Sequence, residues 1–267
     1  MPPLLALTKP VIAMVHLQPL PGSSAYDHAG GIERIVEAAA ADIDALQAAG
    51  VDALMFGNEG DRPYRTRAAP AGLATMAATI GALRHRLRVP FGVNYLWDPL
   101  ATVALAAATG ATFAREIFTG VYASDMGVWA PDAAAALEER SRLHRTDLTL
   151  LFNVNAEFAA PLDSRPIEVR AKSAVFSSLA DVICVSGAMT GEGVAMSDLR
   201  RVKQALPDTP VFANTGVRID TADEILAVAD GCIVGTHLKV DGDTWKPVDG
   251  ARAARFMDHV RTLRRSA

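Results

Sequence analysis

Short runs of Val, Ile, Leu and Phe recur along the chain, and each is followed by a stretch in which apolar residues return every three or four positions. The first kind of run suits a strand buried on both faces, the second an amphipathic helix. Their alternation predicts parallel strands joined by crossover helices. Eight runs read as strands: VIAMVHL, VDALMFGN, PFGVNYL, ATFAREIF, LTLLFNV, DVICVSG, PVFANTG and DGCIVGT. Helices are expected near residues 31–49, 71–87, 99–109, 132–146, 166–180, 196–206, 221–229 and 250–265. In the first, Ile32, Ile35, Val36, Ala39, Ile43 and Leu46 share a face from which Glu33, Glu37 and Asp44 are excluded. Ala253, Phe256, Val260 and Leu263 do the same in the last. Gly50, Gly110 and the pair Pro207-Asp208 stand where helices should stop.

Eight such units in 267 residues fit an α/β fold of the (β/α)8 TIM-barrel type better than an open doubly wound sheet, which needs fewer strands at this length. No Gly/Ser/Pro-rich linker divides the chain, so residues 1–267 are expected to form one domain. The longest non-helical stretches, 18–30 and 57–70, follow strands one and two. On a barrel they would cover the catalytic face.

Composition narrows the function classes. The chain is half hydrophobic, with 26 basic and 30 acidic residues and a net charge of −4, which argues against nucleic acid as a main partner. Its two cysteines, Cys184 and Cys232, lie in apolar runs, which suits a reduced, cytoplasmic setting rather than a disulfide framework. The apolar start MPPLLALTKPVIAMVHL is broken by prolines and Lys9, and reads as neither a signal peptide nor a transmembrane segment. Ala-rich faces at 99–109 and 132–137 could pack against a second copy or against the barrel itself, so a homo-oligomer stays open.

The candidate chemistry lies at the strand ends. Strand six ends in Ser186-Gly187 followed by Thr190-Gly191, strand seven in Asn214-Thr215-Gly216, and strand eight in Gly235-Thr236. Unpaired main-chain amides and hydroxyls at such ends bind phosphate, because glycine lets the oxygens approach and a helix N-terminus adds positive potential. The plainer alternative is that these glycines only turn the chain.

Around the other ends stand His16, Glu59, Asn94, Arg115, Glu116, Asn153, Asn155 and Glu157, with Asp61 and Asp125 in loops. Carboxylates confined together raise one another's pKa, so one can serve as acid and another as base. Glu59, Glu116, Glu157, His16 and Arg115 are therefore the catalytic candidates, and Asn94, Asn153, Asn155 and Asp125 the candidates for substrate hydroxyls. Structural alternatives remain: an internal Arg115–carboxylate pair, a core-bonded His16, and turn roles for Asp61 and Asp125. Lys239 beside the phosphate loop suggests an anion contact rather than a Schiff base. No local metal motif is present; no cofactor is required, and a divalent metal stays open.

The segments VIAMVHLQPLPGS (11–23), GNEGDRPY (57–64), FGVNYLWD (91–98), FTGVYASDMGVW (118–129), AAPL (159–162), VSGAMTGEG (185–193), NTGV (214–217) and DGCIVGTHLK (230–239) resemble the BtpA family over nearly the whole chain. The resemblance implies a TIM barrel related to the ribulose-phosphate-binding barrels. It also implies a loosely defined role: the family takes its name from a cyanobacterial member tied to photosystem I biogenesis, and bacterial relatives look like parts of sugar-utilisation gene sets. Two departures stand out. Gly57-Asn58-Glu59-Gly60-Asp61 replaces the family's E-N-F-G-D pattern, and Glu157-Phe158 stands where many members carry Lys-His.

The expected function is acid/base chemistry on a small phosphorylated sugar or similar phosphometabolite, by an isomerase, epimerase or aldolase-type lyase. A non-catalytic assembly factor with a retained ligand site and a nucleoside-related hydrolase or transferase are the alternatives.

Overall fold

A computed structural model describes residues 3–266. Eight parallel strands close into a barrel: β1 (Val11–His16), β2 (Ala53–Gly57), β3 (Phe91–Asn94), β4 (Phe113–Glu116), β7 (Thr149–Asn153), β9 (Val182–Val185), β10 (Val211–Ala213) and β11 (Gly231–Val234). They match the eight expected runs, and β1 closes the ring by pairing with both β2 and β11. Between them run helices α1 (Gly31–Ala49), α2 (Pro70–Leu83), α3 (Pro99–Thr109), α4 (Ala133–Arg142), α5 (Ile167–Ser178), α6 (Met196–Ala205), α7 (Ala222–Val228) and α8 (Gly250–Ser266).

Local chemistry explains where the helices stop and start. Gly50 and Gly110 follow α1 and α3 at φ of 81° and 72°, the left-handed conformation that costs glycine least. Asp98 and Asp132 cap α3 and α4 by accepting from the amides of Ala101 and Ala135.

Alternation along each strand sorts the core into two layers. Val11, Ala13 and Val15 face the helices, while Ile12 and Met14 face inward with Met55, Phe113, Leu151, Cys184, Phe212 and Ile233, closed from below by Leu4. Two rings need a neighbouring glycine. A Cβ at Gly92 would sit 2.1 Å from the Phe113 ring, and one at Gly231 would sit 2.8 Å from Phe212. The interior is thus filled with side chains, and the polar residues form one further layer above it. Both cysteines are free and buried, and burial pushes their thiols up to about 12.

Two features depart from the expected pattern. On α1, Ile32 is exposed while Asp42 lies buried on the apolar face. The loops after β4 and β7 also build an antiparallel sheet in the order β6-β5-β8, from β5 (Tyr122–Ser124), β6 (Gly127–Trp129) and β8 (Ala159–Pro161). Its Tyr122 and Trp129 join Leu96, Trp97, Ile117 and Ala156 in a separate apolar cluster over part of the barrel mouth. None of the helices among the described residues is long and apolar enough to cross a membrane.

Candidate functional site

At the carboxyl end of the strands lies a cavity of about 40 Å³. His16, Glu59, Arg115 and Glu157 line it together with Asn214, Thr215, Gly216, Gly235 and Thr236, and with Thr190, Gly191, Met14 and Ile233. Strand parity delivers these groups. Arg115 points inward two residues beyond Phe113, and His16 two beyond Met14, so each stands one layer above a packed interior residue.

Two glycines make room for this polar layer. A Cβ at Gly57 would lie 2.4 Å from Glu59 Oε2, and one at Gly235 would lie 2.8 Å from the His16 ring. Glycine at these strand ends therefore admits the carboxylate and the imidazole to the mouth.

Glu59 and Glu157 are 5 % and 7 % exposed, and burial is the main cause that raises the pKa of both. The Arg115 charge opposes the rise in each, while the charge of Glu59 adds to the rise of Glu157. Arg115 lies 3.9 Å from Glu157 Oε1, and the Thr190 hydroxyl donates to Glu157 Oε2 at 2.9 Å. His16 is driven down to about 3 by burial and then by the Lys239 charge, so it is a neutral imidazole at pH 7. Its 3.6 Å approach to Glu59 is therefore not an ion pair. His16 Nδ1, Glu59 Oε2, Arg115 Nε and Asn214 Oδ1 are buried without a hydrogen-bond partner. The amides of Thr215, Gly216, Gly235 and Thr236 donate to no backbone carbonyl among the described residues.

Several candidates stand elsewhere. Glu116 accepts from Asn94 Nδ2 at 2.5 Å and from the Ile117 amide at 2.8 Å, outside the cavity lining, and burial pushes it up to about 8. Asn155 clamps Ser186, accepting from its amide and donating to its carbonyl, which uses the side chain expected to meet substrate. The Ser186 hydroxyl lies between Asn153 and Asn214, and the Gly187 amide is taken by the Thr215 hydroxyl at 2.5 Å. Gly187 and Gly216 both give way to the backbone at Glu192, where added Cβ atoms would come within 2.3 Å and 2.2 Å. For Gly187, packing within the loop replaces the expected phosphate contact. Asp125 is exposed in the turn between β5 and β6.

Lys239 corrects a further expectation. Its ammonium is buried against Asp42 at 2.6 Å, and the other oxygen of Asp42 accepts from the Val248 amide, so this lysine is already partnered by α1. Sequence reading missed Asp42, although an acid on the stripe of Ile35, Ala39 and Leu46 was a visible signal. It also missed the aromatic roof of Tyr64, Trp97, Trp129 and Phe158, whose ring centroids lie 5.6–6.4 Å apart in the contacts through Trp97. No group of three or more His, Cys, Asp or Glu side chains among the described residues is arranged to hold a metal.

Comparison with solved structures places the chain among TIM barrels. It superposes on (S)-3-O-geranylgeranylglyceryl phosphate synthase from Thermoplasma acidophilum, in complex with sn-glycerol-1-phosphate, with a TM-score of 0.60 and 16% identity, over 97% of this chain and 95% of that one. Phosphoribosyl anthranilate isomerase from Thermus thermophilus gives a TM-score of 0.58 and 13% identity, over 95% and 99%. In sequence it is 46% identical to the putative sgc region protein SgcQ of Escherichia coli (strain K12), covering 96% of each chain. It is 32% identical to the photosystem I biogenesis protein BtpA of Synechocystis sp. (strain PCC 6803), covering 93% of this chain and 87% of that protein. The BtpA family model matches residues 7–262, and the chain belongs to the BtpA family.

Proposed function

We propose that this protein is an enzyme acting on a small phosphorylated sugar or comparable phosphometabolite by carboxylate acid/base chemistry. One observation carries the reading: residues at the exits of β10 and β11 whose amides have no backbone acceptor line one cavity with two buried glutamates and an arginine. Buried polar atoms are normally partnered, so unsatisfied atoms on four residues of one cavity point to a polar ligand that completes them. Among the similar barrels is one in complex with a phosphorylated ligand, sn-glycerol-1-phosphate.

In this reading the amides of Thr215, Gly216, Gly235 and Thr236 hold the phosphoryl oxygens, with the Thr236 hydroxyl beside them. That anchor orients the substrate carbons toward Glu59 and Glu157, so binding energy from the remote group lowers the barrier at the reacting one. Glu59 and Glu157 share the acid and base roles, since burial raises both carboxyls and the charge of Glu59 adds to the rise of Glu157. Arg115 stabilises charge developing between them, and neutral His16 hydrogen-bonds without adding charge. The cavity has room for about three waters at ~10–15 Å³ each, so it must widen to admit the sugar carbons.

The test is a thermal-shift screen with phosphosugars, their parent sugars and inorganic phosphate. A ligand at ~100 times its Kd stabilises by about 2.7 kcal/mol, well above detection. Selective stabilisation by phosphorylated ligands is expected. A flat response across the panel overturns the reading and favours a second one, a non-catalytic assembly factor, suggested by the name of the Synechocystis relative.

A further inference from the structure

Beside the mouth lies a second cavity of about 80 Å³. It is bounded by the loop Pro21-Gly22-Ser23-Ser24 after β1, by Arg65 and Arg67 from the loop after β2, and by Tyr95 after β3. Tyr64 lines this second cavity and donates its hydroxyl to the carbonyl of Glu59, a residue of the first cavity, at 3.3 Å.

The charges around this second cavity are unbalanced. Asp61 is committed to the loop, accepting from the Leu20 amide at 2.7 Å and from Asn58 Nδ2 at 3.0 Å. Arg62 stacks on Trp245, its Cζ 3.5 Å from the ring centroid, and its carbonyl accepts from the Ser24 hydroxyl, so it ties three loops together. Arg65 and Arg67 form no ion pair or hydrogen bond among the described residues, yet both line the cavity. Other arginines are equally unpaired on open surface; these two flank a concavity with hydroxyls.

A buried polar group gives an independent indication. Tyr95 is only 4 % exposed and lines the cavity. Its hydroxyl already has the Ala69 amide as a hydrogen-bond partner, and only its own proton is left without an acceptor among the described residues. The hydroxyl reaches this place because residue 72 is glycine: a Cβ there would lie 2.6 Å from it. Ala69 is the residue before α2, and its side chain does not cap that helix, so the positive end of a 14-residue helix opens at the same wall.

We infer that this second cavity is an anion subsite for a phosphoryl group, held by the forked guanidinium groups of Arg65 and Arg67 and by the hydroxyls of Ser23 and Tyr95. It deepens the reading above, on which it rests only for the molecule that carries the group: a phosphometabolite with a phosphoryl group at each end would span the two cavities.

Inorganic phosphate is the probe, counted by equilibrium dialysis against the full chain at fixed ionic strength. Two bound phosphates are expected for the unaltered protein and for the remote charge control R255A, and one for R65A/R67A. If R65A/R67A does not fold, R65K/R67K, which keeps the charge but loses the fork, is expected to weaken this phosphate roughly tenfold. An unchanged count in R65A/R67A overturns the inference. A single phosphate in the unaltered protein that vanishes in R65A/R67A upholds it and defeats the strand-end anion site instead; no phosphate at all defeats both. A sugar bisphosphate that binds more tightly than its monophosphate, and loses that advantage in R65A/R67A, identifies the substrate's own second group as the anion. Equal affinities identify free phosphate.

Discussion

Two buried ionic groupings lie near one another in this barrel, and they are built differently. Lys239 and Asp42 meet at 2.6 Å, the second carboxylate oxygen takes an amide, and both residues are almost wholly shielded. Arg115 and Glu157 are equally shielded but stand 3.9 Å apart, with Arg115 Nε and Glu59 Oε2 unpartnered beside them. A buried pair is tolerated when its geometry is tight and its remaining valences are filled. The first grouping meets that condition and ties α1 to the segment after β11. The second does not, and the unfilled valences face a cavity. Both groupings bury charge, so burial alone does not distinguish them; completeness of partnering does.

Substitutions can break this contrast. The largest effect is expected at the open grouping: Glu157→Gln should lower turnover of the phosphosugar found by screening by ~10²–10⁴-fold, the range for a lost general acid or base. Its Tm should not fall, since the amide removes a charge that burial disfavours. A Tm drop with intact turnover would assign Glu157 to structure. At the closed grouping the order reverses. Asp42→Ala should cost ~3–5 kcal/mol in urea unfolding by leaving Lys239 buried and unpaired, with phosphate affinity retained at the site.

Glu116 lies between the two types, hydrogen-bonded yet destabilised as an anion. Its pKa rises from 4.5 unfolded to about 8 folded, so the native state holds the extra proton between those values and stability falls as pH rises through them. Glu116→Gln should flatten that decline, an effect on the order of a few kcal/mol, read from chemical unfolding at pH 5 and pH 8. His16 works in the opposite direction. The unfolded chain takes up a proton below 6.5 while the folded imidazole resists it down to about 3, so stability is lost as pH falls across that window. His16→Gln should soften this acid limb by a similar amount, since the two shifts span equal ranges of pH. Identical acid limbs in both proteins would mean that His16 is protonated in the fold.

The barrel was legible in sequence because parallel strands buried on both faces must be apolar along their length, and all eight runs became strands. The BtpA likeness, read from motifs such as VIAMVHLQPLPGS, agrees with a family match over residues 7–262. Of the catalytic candidates Glu59, Glu116, Glu157, His16 and Arg115, four line one cavity, while Glu116, next to Arg115 on β4, has the opposite parity and lies outside it. Other assignments failed where identity says nothing of direction. Asn155 carries the same amide whether it meets a ligand or clamps Ser186, and Gly187 has the same freedom whether it admits phosphate or the backbone at Glu192. The extra sheet was missed because its strands are three residues long, too short to show a period.

Sequence by itself determined the order of strands and helices, the closure implied by eight of them, and which residue types stand at the mouth. These follow from hydrophobic spacing and glycine placement, which act locally. Only the tertiary structure decided which polar groups are satisfied. Lys239 is neutralised by Asp42, 197 residues earlier in the chain, while Arg65 and Arg67 find no such partner. Pairing of that kind depends on distances between separate elements, and those are fixed only when the barrel closes.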